Sequence, residues 1–233
     1  VEYEYKPVSG TQKNAKHHLE AFDFGFNTRI NPNTTVFTNF NQAFQAPLID
    51  RFFKYEGSFN GFMSPSTSKT INVGLNYLTD KSKTKVTLYR SNIRNEMFYN
   101  SATYANTNLD ESHKQGLELQ NTFVVNPKLS TNVNYAYTNA IIDKEADNSE
   151  FNGKTNPMTS KHNISASVIY GLSDNASITL TQKYRSSAFA EEDYTNTATQ
   201  KQKAYNSTDF NFSYSPNEDL EFNFDVENLF ENS

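Results

Sequence analysis

The stretch Lys69–Leu78 reads KTINVGLNYL, and its side chains alternate between apolar and polar types. Its odd positions from Ile71 to Tyr77 are apolar, whereas the even positions between them carry Asn or Gly. Because successive side chains of a β-strand point to opposite faces, one face of this segment is apolar and the other is polar. The stretch therefore predicts a β-strand with an apolar environment on one side and a polar one on the other.

The same alternation recurs about ten times along the chain. It is clearest in 220–226 and 164–170, and a shorter fragment is predicted at Val1–Tyr5. No segment gives a convincing helix. The sequence therefore predicts an all-β chain of about ten consecutive antiparallel strands. The other segments with this alternation are 22–26, 36–40, 86–88, 117–119, 133–137, 178–180 and 210–214.

Short and long connections alternate between these predicted strands. Short turns rich in Asn, Asp, Ser and Pro fall at 31–33, 80–82, 126–128, 173–175 and 215–217. Long polar connections are predicted at 44–68, 99–112, 139–161 and 186–204. Strands that run up and down would place all short turns at one end and all long loops at the other. This arrangement is typical of an outer-membrane β-barrel.

The composition excludes several classes of protein. Among the 233 residues, 21 Lys and Arg face 26 Asp and Glu, a formal net charge of −5, so a general nucleic-acid binder is not expected. The chain has no Cys and only 4 His, which excludes thiolate chemistry and leaves little for a zinc site. No motif of a hydrolase, P-loop or dinucleotide enzyme occurs, so no enzymatic activity is predicted.

A soluble β-sandwich is the competing fold, because it shows the same alternation. Two features favour the barrel: the long loops lie at one end only, and tyrosines stand at the ends of apolar runs, where an aromatic girdle would lie. These tyrosines are Tyr77, Tyr137, Tyr170, Tyr184 and Tyr214.

Six segments carry motifs that occur in one order in a known family. They are FTNFNQAFQAPLIDRF at Phe37–Phe52, SKTINVGLNY at Ser68–Tyr77, VTLYRSNIRNEMF at Val86–Phe98, KQGLEL at Lys114–Leu119, GKTNPMTSKH at Gly153–His162 and VENLF at Val226–Phe230. Together they resemble the TonB-dependent outer-membrane receptors. In the first of them, Gln45 stands where an Arg is usual in the family.

The resemblance implies an antiparallel transmembrane β-barrel of 22 strands in the outer membrane of a Gram-negative bacterium. Residues 1–233 would form the C-terminal portion of that barrel, and the plug domain, the first barrel half and the closing strand would lie outside this chain. Such receptors carry out TonB-energised uptake of a scarce nutrient, typically a ferric siderophore or other iron chelate, haem or cobalamin. The expected partners are this ligand, outer-membrane lipid and TonB, the last through the plug.

Two other functions are compatible with the sequence. One is a passive porin-like outer-membrane channel, which would lack a plug. The other is a soluble β-sandwich that serves as a binding or adhesion module.

The loop that follows the first motif is the richest in cations and aromatic side chains. Such side chains are able to stack on a planar chelate or to pair with an anionic one. The competing interpretation is that these aromatics pack the loop against its neighbours or anchor it at the membrane interface. The ligand-binding residues predicted in this loop are Arg51, Phe52, Phe53, Tyr55, Phe59 and Phe62.

A second outward loop is predicted to contribute Arg185 and Tyr194. The acidic run Glu191–Asp193 lies between them, and although it could bind a cation, such runs are more often simply solvated. None of the four histidines is predicted as a ligand. No metal site and no cofactor are predicted.

Overall fold

The computed structural model describes residues 1–100, 103–199 and 201–230. Its strands form one antiparallel ten-stranded sheet and two two-stranded ribbons. Within the described residues, no helix has the length and apolar character needed to cross a bilayer. The strands are β1 (Glu2–Tyr5), β2 (Lys13–Lys16), β3 (Phe22–Asn31), β4 (Thr34–Gln45), β5 (Ser66–Leu78), β6 (Ser82–Asn100), β7 (Ala105–Asn126), β8 (Leu129–Lys144), β9 (His162–Ser173), β10 (Ala176–Arg185), β11 (Ala188–Phe189), β12 (Lys201–Gln202), β13 (Tyr205–Asn217) and β14 (Leu220–Val226).

The ten-stranded sheet is a meander that runs from β3 through β10 and on to β13 and β14. The ribbon β1–β2 precedes the sheet, and the ribbon β11–β12 lies in the connection between β10 and β13. Short 3₁₀ turns at Ile49–Phe52 and Ser149–Phe151 interrupt two of the loops. Strands β3 and β14 each pair with one neighbour, so the sheet is an open section of barrel wall. The predicted all-β fold, its ten strands and the strand near Val1–Tyr5 are confirmed.

The long connection predicted at 99–112 is wrong. Strand β6 continues to Asn100 and β7 begins at Ala105, and these two residues pair with each other. The two strands are therefore 19 and 22 residues long. Their distal halves are polar at most positions, and apolar residues such as Phe98 and Leu109 pack against Phe151 and Tyr194 rather than facing lipid, so the alternation fades there.

One side of the sheet, which we call the outer face, exposes apolar side chains. Val73 pairs with Leu88, and Leu88 pairs with Leu117, so the three form one row across β5, β6 and β7. Val73 is 50% exposed and Leu88 is 55% exposed, whereas Thr87 on the opposite, inner face is only 7% exposed. A soluble sandwich would bury its apolar face. The observed distribution is that of a barrel wall whose apolar side meets lipid.

The five tyrosines predicted to form a girdle all lie on the outer face. Tyr137 and Tyr184 stand near the end that carries the long loops, with Tyr184 opposite Ile164. Tyr77, Tyr170 and Tyr214 stand near the short turns. Two levels of aromatic residues therefore bracket the apolar rows, as at the two interfaces of a membrane barrel.

The inner face is closely packed where aromatic rings cover glycines. A Cβ atom added to Gly74 would lie 2.5 Å from the Phe37 ring, and one added to Gly116 would lie 2.9 Å from the Tyr89 ring. The Tyr89 hydroxyl also shares a 2.9 Å hydrogen bond with the Thr138 hydroxyl. Rings that lie over glycines fill the space left by the missing side chains and fix the register of neighbouring strands.

Candidate functional site

The long connections do not extend freely but pack together into one structure, which we call the cap. In the first long loop, Ser64 N–H donates to Asn108 Oδ1 at 3.0 Å, and Asn108 Nδ2 donates back to Ser64 O at 3.0 Å. Thr155 N–H and Asn196 Oδ1 make an analogous bond at 2.7 Å between the last two loops. These bonds join loops that are far apart in sequence. The cap comprises the described residues of 1–21, 46–65, 145–161 and 186–204 together with the tip of the β6–β7 hairpin.

An aromatic cluster joins the first long loop to the β1–β2 ribbon. Tyr3 contacts Phe52 with ring centroids 4.8 Å apart, and Tyr5 stacks on Phe59 at 4.1 Å. Phe62 lies 5.2 Å from Phe52, edge to face. Such pairs contribute packing energy beyond the area that they bury. The ribbon was not assigned any role from the sequence, yet its two tyrosines position this loop.

The predicted ligand-binding residues of this loop are therefore in different environments. Phe52 is 3% exposed and is part of the cap interior, whereas Tyr55 is 94% exposed at the loop tip. Phe53, Phe59 and Phe62 are partly buried, and the Phe53 and Phe59 rings are 5.8 Å apart.

Tyr194 lies in a second cluster rather than on an open loop surface. Its ring is 4.7 Å from that of Phe98 and 5.4 Å from that of Phe151, and the cluster also holds the buried Leu109 and Ile142. Burial raises the pKa of Tyr194 to about 12, and the nearby carboxylates of Glu96, Glu192 and Glu191 reinforce the shift. This residue anchors the last loop to the β6–β8 strands.

A cavity of about 520 Å³ opens on the inner side below the first long loop. Arg51, Glu96 and Lys114 are among the residues that line it. Lys114 Nζ lies 2.9 Å from Glu96 Oε1, while Glu96 Oε2 accepts a 2.7 Å hydrogen bond from Ser112 Oγ. Arg51 Nη1 donates to the neutral Asn106 Oδ1 at 3.0 Å. Within the described part of the chain, Lys114 is thus neutralised by a carboxylate and Arg51 is not.

Of the charged residues in this cavity, only Arg51 was predicted from the sequence. The pairing of β6 with β7 skips Asn95, whose φ is 55°. Arg94, just before it, pairs with Glu111 across the sheet, whereas Glu96, just after it, contacts Ser112 and Lys114. A left-handed backbone at one residue twists the strand locally and redirects the side chains beyond it. No sequence pattern in this segment marks that change.

Arg185 lies apart from the first loop, at the end of β10. It lines a shallow cavity of about 610 Å³ on the sheet together with Glu118, Lys183 and Tyr205. The structure thus brings Phe52, Phe53, Phe59 and Phe62 together but leaves Arg185 and Tyr194 at separate places.

The acidic run folds back on its own loop. Asp193 Oδ1 accepts the backbone N–H of Thr197 at 2.9 Å, and Asp193 Oδ2 accepts that of Ala198 at 3.1 Å.

In the described part of the chain, no group of three or more His, Asp or Glu residues could hold a metal ion. Two histidines have defined partners: His113 Nδ1 lies 2.8 Å from the Asp143 carboxylate, and His162 Nδ1 lies 2.9 Å from the Tyr135 hydroxyl.

An open antiparallel meander with an apolar outer face, a polar inner face and its long loops gathered at one end is a section of an outer-membrane-type β-barrel wall. The sequence agrees with this class in detail. The family model described as TonB dependent receptor-like, beta-barrel matches residues 3–229. The match covers almost the entire chain, and the chain therefore belongs to this family.

Solved structures with the same fold include several receptors. The ferric-catecholate import receptor Fiu from Escherichia coli K12 is 21% identical, with a TM-score of 0.72 over 97% of this chain and 33% of that one. The ferric yersiniabactin uptake receptor FyuA from Yersinia pestis is 14% identical, with a TM-score of 0.75 over 95% and 34%. The siderophore receptor PiuA from Acinetobacter baumannii is 16% identical, with a TM-score of 0.72 over 99% and 35%.

At these identities the likeness establishes the shared fold. The chain spans about one third of the length of these solved receptors. No curated protein shows a significant match to the sequence.

Proposed function

We propose that this chain is the C-terminal portion of the barrel of an outer-membrane receptor that imports an anionic iron complex, such as a ferric siderophore, with energy from TonB. Membership of the family supports this proposal, as do the solved relatives that are named as receptors for ferric siderophores. The plug, through which TonB would act, and the other barrel strands would come from the remainder of the receptor. The outer face would lie in the lipid of a Gram-negative outer membrane.

The observation that carries the proposed ligand class is the cavity below the first long loop. Its volume of about 520 Å³ is in the range of pockets that hold small ligands. Glu96 offsets the charge of Lys114, whereas among the described residues the partner of Arg51 is a neutral amide oxygen. The cavity therefore carries an excess positive charge, and a guanidinium is well suited to bind carboxylate or catecholate oxygens.

We expect the aromatic residues of the first loop to have two roles, packing the loop in place and contacting the ligand. Phe52, Phe59 and Phe62 hold the loop against Tyr3 and Tyr5. The exposed Tyr55 and the partly exposed Phe53 would meet the ligand first. Arg185 and Tyr194 are further from this cavity; Arg185 would act on the inner wall, and Tyr194 would support the cap.

The test is uptake of a panel of ferric siderophores, haem and cobalamin by cells that express the full-length receptor. We expect a ferric siderophore to be imported, and import to stop when TonB is deleted. Arg51→Gln should weaken binding of that siderophore roughly tenfold, because it removes a charge-assisted contact, and Lys114→Gln should weaken it as well, because it leaves the Glu96 carboxylate in the cavity without its cation. The exposed cap residue Lys203 provides the control, since Lys203→Gln removes the same charge away from the cavity.

Three results would contradict the proposal. Diffusion of small solutes that is independent of TonB would indicate a porin-like channel. Uptake of haem or cobalamin alone would show that the ligand is not a ferric siderophore. Equal effects of Arg51→Gln and Lys203→Gln on siderophore binding would show that the cavity is not the binding site.

A further inference from the structure

A polar groove interrupts the outer face just beyond the apolar rows of β5 and β6. Its volume is about 660 Å³, and Lys69, Arg90 and Arg94 contribute its cations. Lys69 is two residues beyond Ile71 on β5, and Arg90 is two residues beyond Leu88 on β6. Ile71 and Arg90 pair directly across the two strands. Because two residues of strand rise about 7 Å, these cations lie immediately next to the apolar band.

Two of the cations have no carboxylate partner in the described part of the chain. Arg90 donates from Nε to Asn92 Oδ1 at 3.1 Å and from Nη1 to Gln115 Oε1 at 2.7 Å, both neutral amide oxygens. Lys69 is exposed and makes no hydrogen bond or ion pair with a described residue. Lys69 pairs with Asn92, so it is diagonal to Arg90 across the strands.

The carboxylates of the groove are already engaged. Arg94 Nη2 lies 3.2 Å from Glu111 Oε1, and His113 Nδ1 lies 2.8 Å from Asp143 Oδ1. Among the described residues neither carboxylate bonds to Lys69 or Arg90, and the three cations of the groove outnumber its two carboxylates, so the groove keeps a net positive charge. A side chain at the level where the apolar band ends would be at the depth of the lipid headgroups.

We propose that Lys69 and Arg90 form a binding site for the phosphate of a lipid headgroup in the membrane leaflet next to the cap. The site rests on the membrane placement given under the proposed function. Two diagonal cations would share the phosphate oxygens, and the apolar rows that begin at Ile71 and Leu88 would hold the acyl chains. The amides of Gln42 and Asn92 line the same groove and would hydrogen-bond to polar groups of the headgroup.

The experiment uses the full-length receptor in mild detergent, with phosphatidic acid as the phosphate-bearing probe and native mass spectrometry as the readout. We expect Lys69→Gln/Arg90→Gln to weaken retention of phosphatidic acid about tenfold or more. The matched control is Lys83→Gln/Lys85→Gln, which removes two charges from the inner face of β6. Retention in this control should equal that of the unaltered receptor.

Two further ligands test whether the site recognises a lipid phosphate rather than acyl chains alone or free phosphate. Diacylglycerol, which has acyl chains but no phosphate, should bind poorly, and inorganic phosphate should not displace phosphatidic acid. Equal retention by the two double variants, equal binding of diacylglycerol, or full displacement by inorganic phosphate would each overturn the proposal. Insertion of the receptor into neutral phosphatidylcholine vesicles tests the membrane placement separately, because it does not depend on Lys69 or Arg90.

Discussion

The outer face of the sheet and the cap both carry many large apolar side chains, but the two regions place them in opposite ways. On the outer face, Phe24 and Phe224 are exposed. In the cap, Phe52 and Leu109 are buried among other residues of the chain. The difference shows that the two regions are built for different solvents. The sheet relies on lipid to cover its apolar residues, whereas the cap stands in water and has to bury its own.

The largest effect is expected where the cap buries an aromatic ring. Phe52→Ala should destabilise the local structure by about 3–5 kcal/mol, because it leaves a cavity against Tyr3 and Phe62. The measurement is hydrogen exchange of the cap amides in the full-length receptor. Tyr55→Ala, at an exposed site in the same loop, should change stability by less than about 0.5 kcal/mol. Similar exchange in both variants would mean that the cluster does not hold the loop.

The next effect tests the outer face. Leu75→Arg should cost about 2–4 kcal/mol in a membrane, whereas Asn76→Arg on the inner face should cost much less. Denaturant unfolding of the receptor in vesicles measures both. A lipid-soluble quencher should also reach a spin label at position 75 but not one at position 76. Quenching at both positions would contradict the assignment of the two faces.

A smaller effect is expected from the glycines beneath aromatic rings. Gly116→Ala should cost about 1–3 kcal/mol, because the new Cβ would lie 1.9 Å from Tyr137 O and 2.9 Å from the Tyr89 ring. Gly25→Ala is the control, since the nearest atom to its added Cβ is 3.6 Å away. Thermal unfolding of the two variants should differ clearly. Equal melting temperatures of the two variants would show that the strands around Gly116 can move apart without loss of stability.

The smallest effect concerns pH. The pKa of Tyr194 is raised from 10.0 to about 12 in the folded cap, so the unfolded chain loses this proton at lower pH than the folded one does. The stability of the cap should therefore fall as the pH rises from about 10 to about 12. Hydrogen exchange of the cap amides across this pH range would measure the loss of stability. Tyr194→Phe should remove part of this pH dependence. The same slope in Tyr194→Phe would assign the effect to other groups.

The sequence predicts the sheet well because lipid on one side and polar groups on the other impose a period of two. This is evident in β5, β9 and β14. The distal halves of β6 and β7 lack that contrast, and composition alone made them resemble a loop. Alternation thus reports the environment of a strand, and it fails where neither face meets lipid.

The candidate site was less predictable than the sheet. Arg51 was identified from its position in a loop rich in cations and aromatics. Glu96 was not identified, because its contact with Lys114 depends on the left-handed backbone at Asn95. Tyr194 was assigned to ligand binding, and only the folded chain reveals its contact with Phe98, which is far away in sequence.

The length of β6 has an electrostatic consequence. From Leu88 at the edge of the apolar band to Asn100 there are twelve residues, or about 40 Å of strand, and a tilt of 35–45° leaves a height of about 30 Å. The screening length at physiological ionic strength is about 8 Å. The tip of this hairpin therefore lies several screening lengths from the anionic lipid surface. At that distance the repulsion of the membrane is screened, so an anionic solute that reaches the cap responds to the charges of the cap alone.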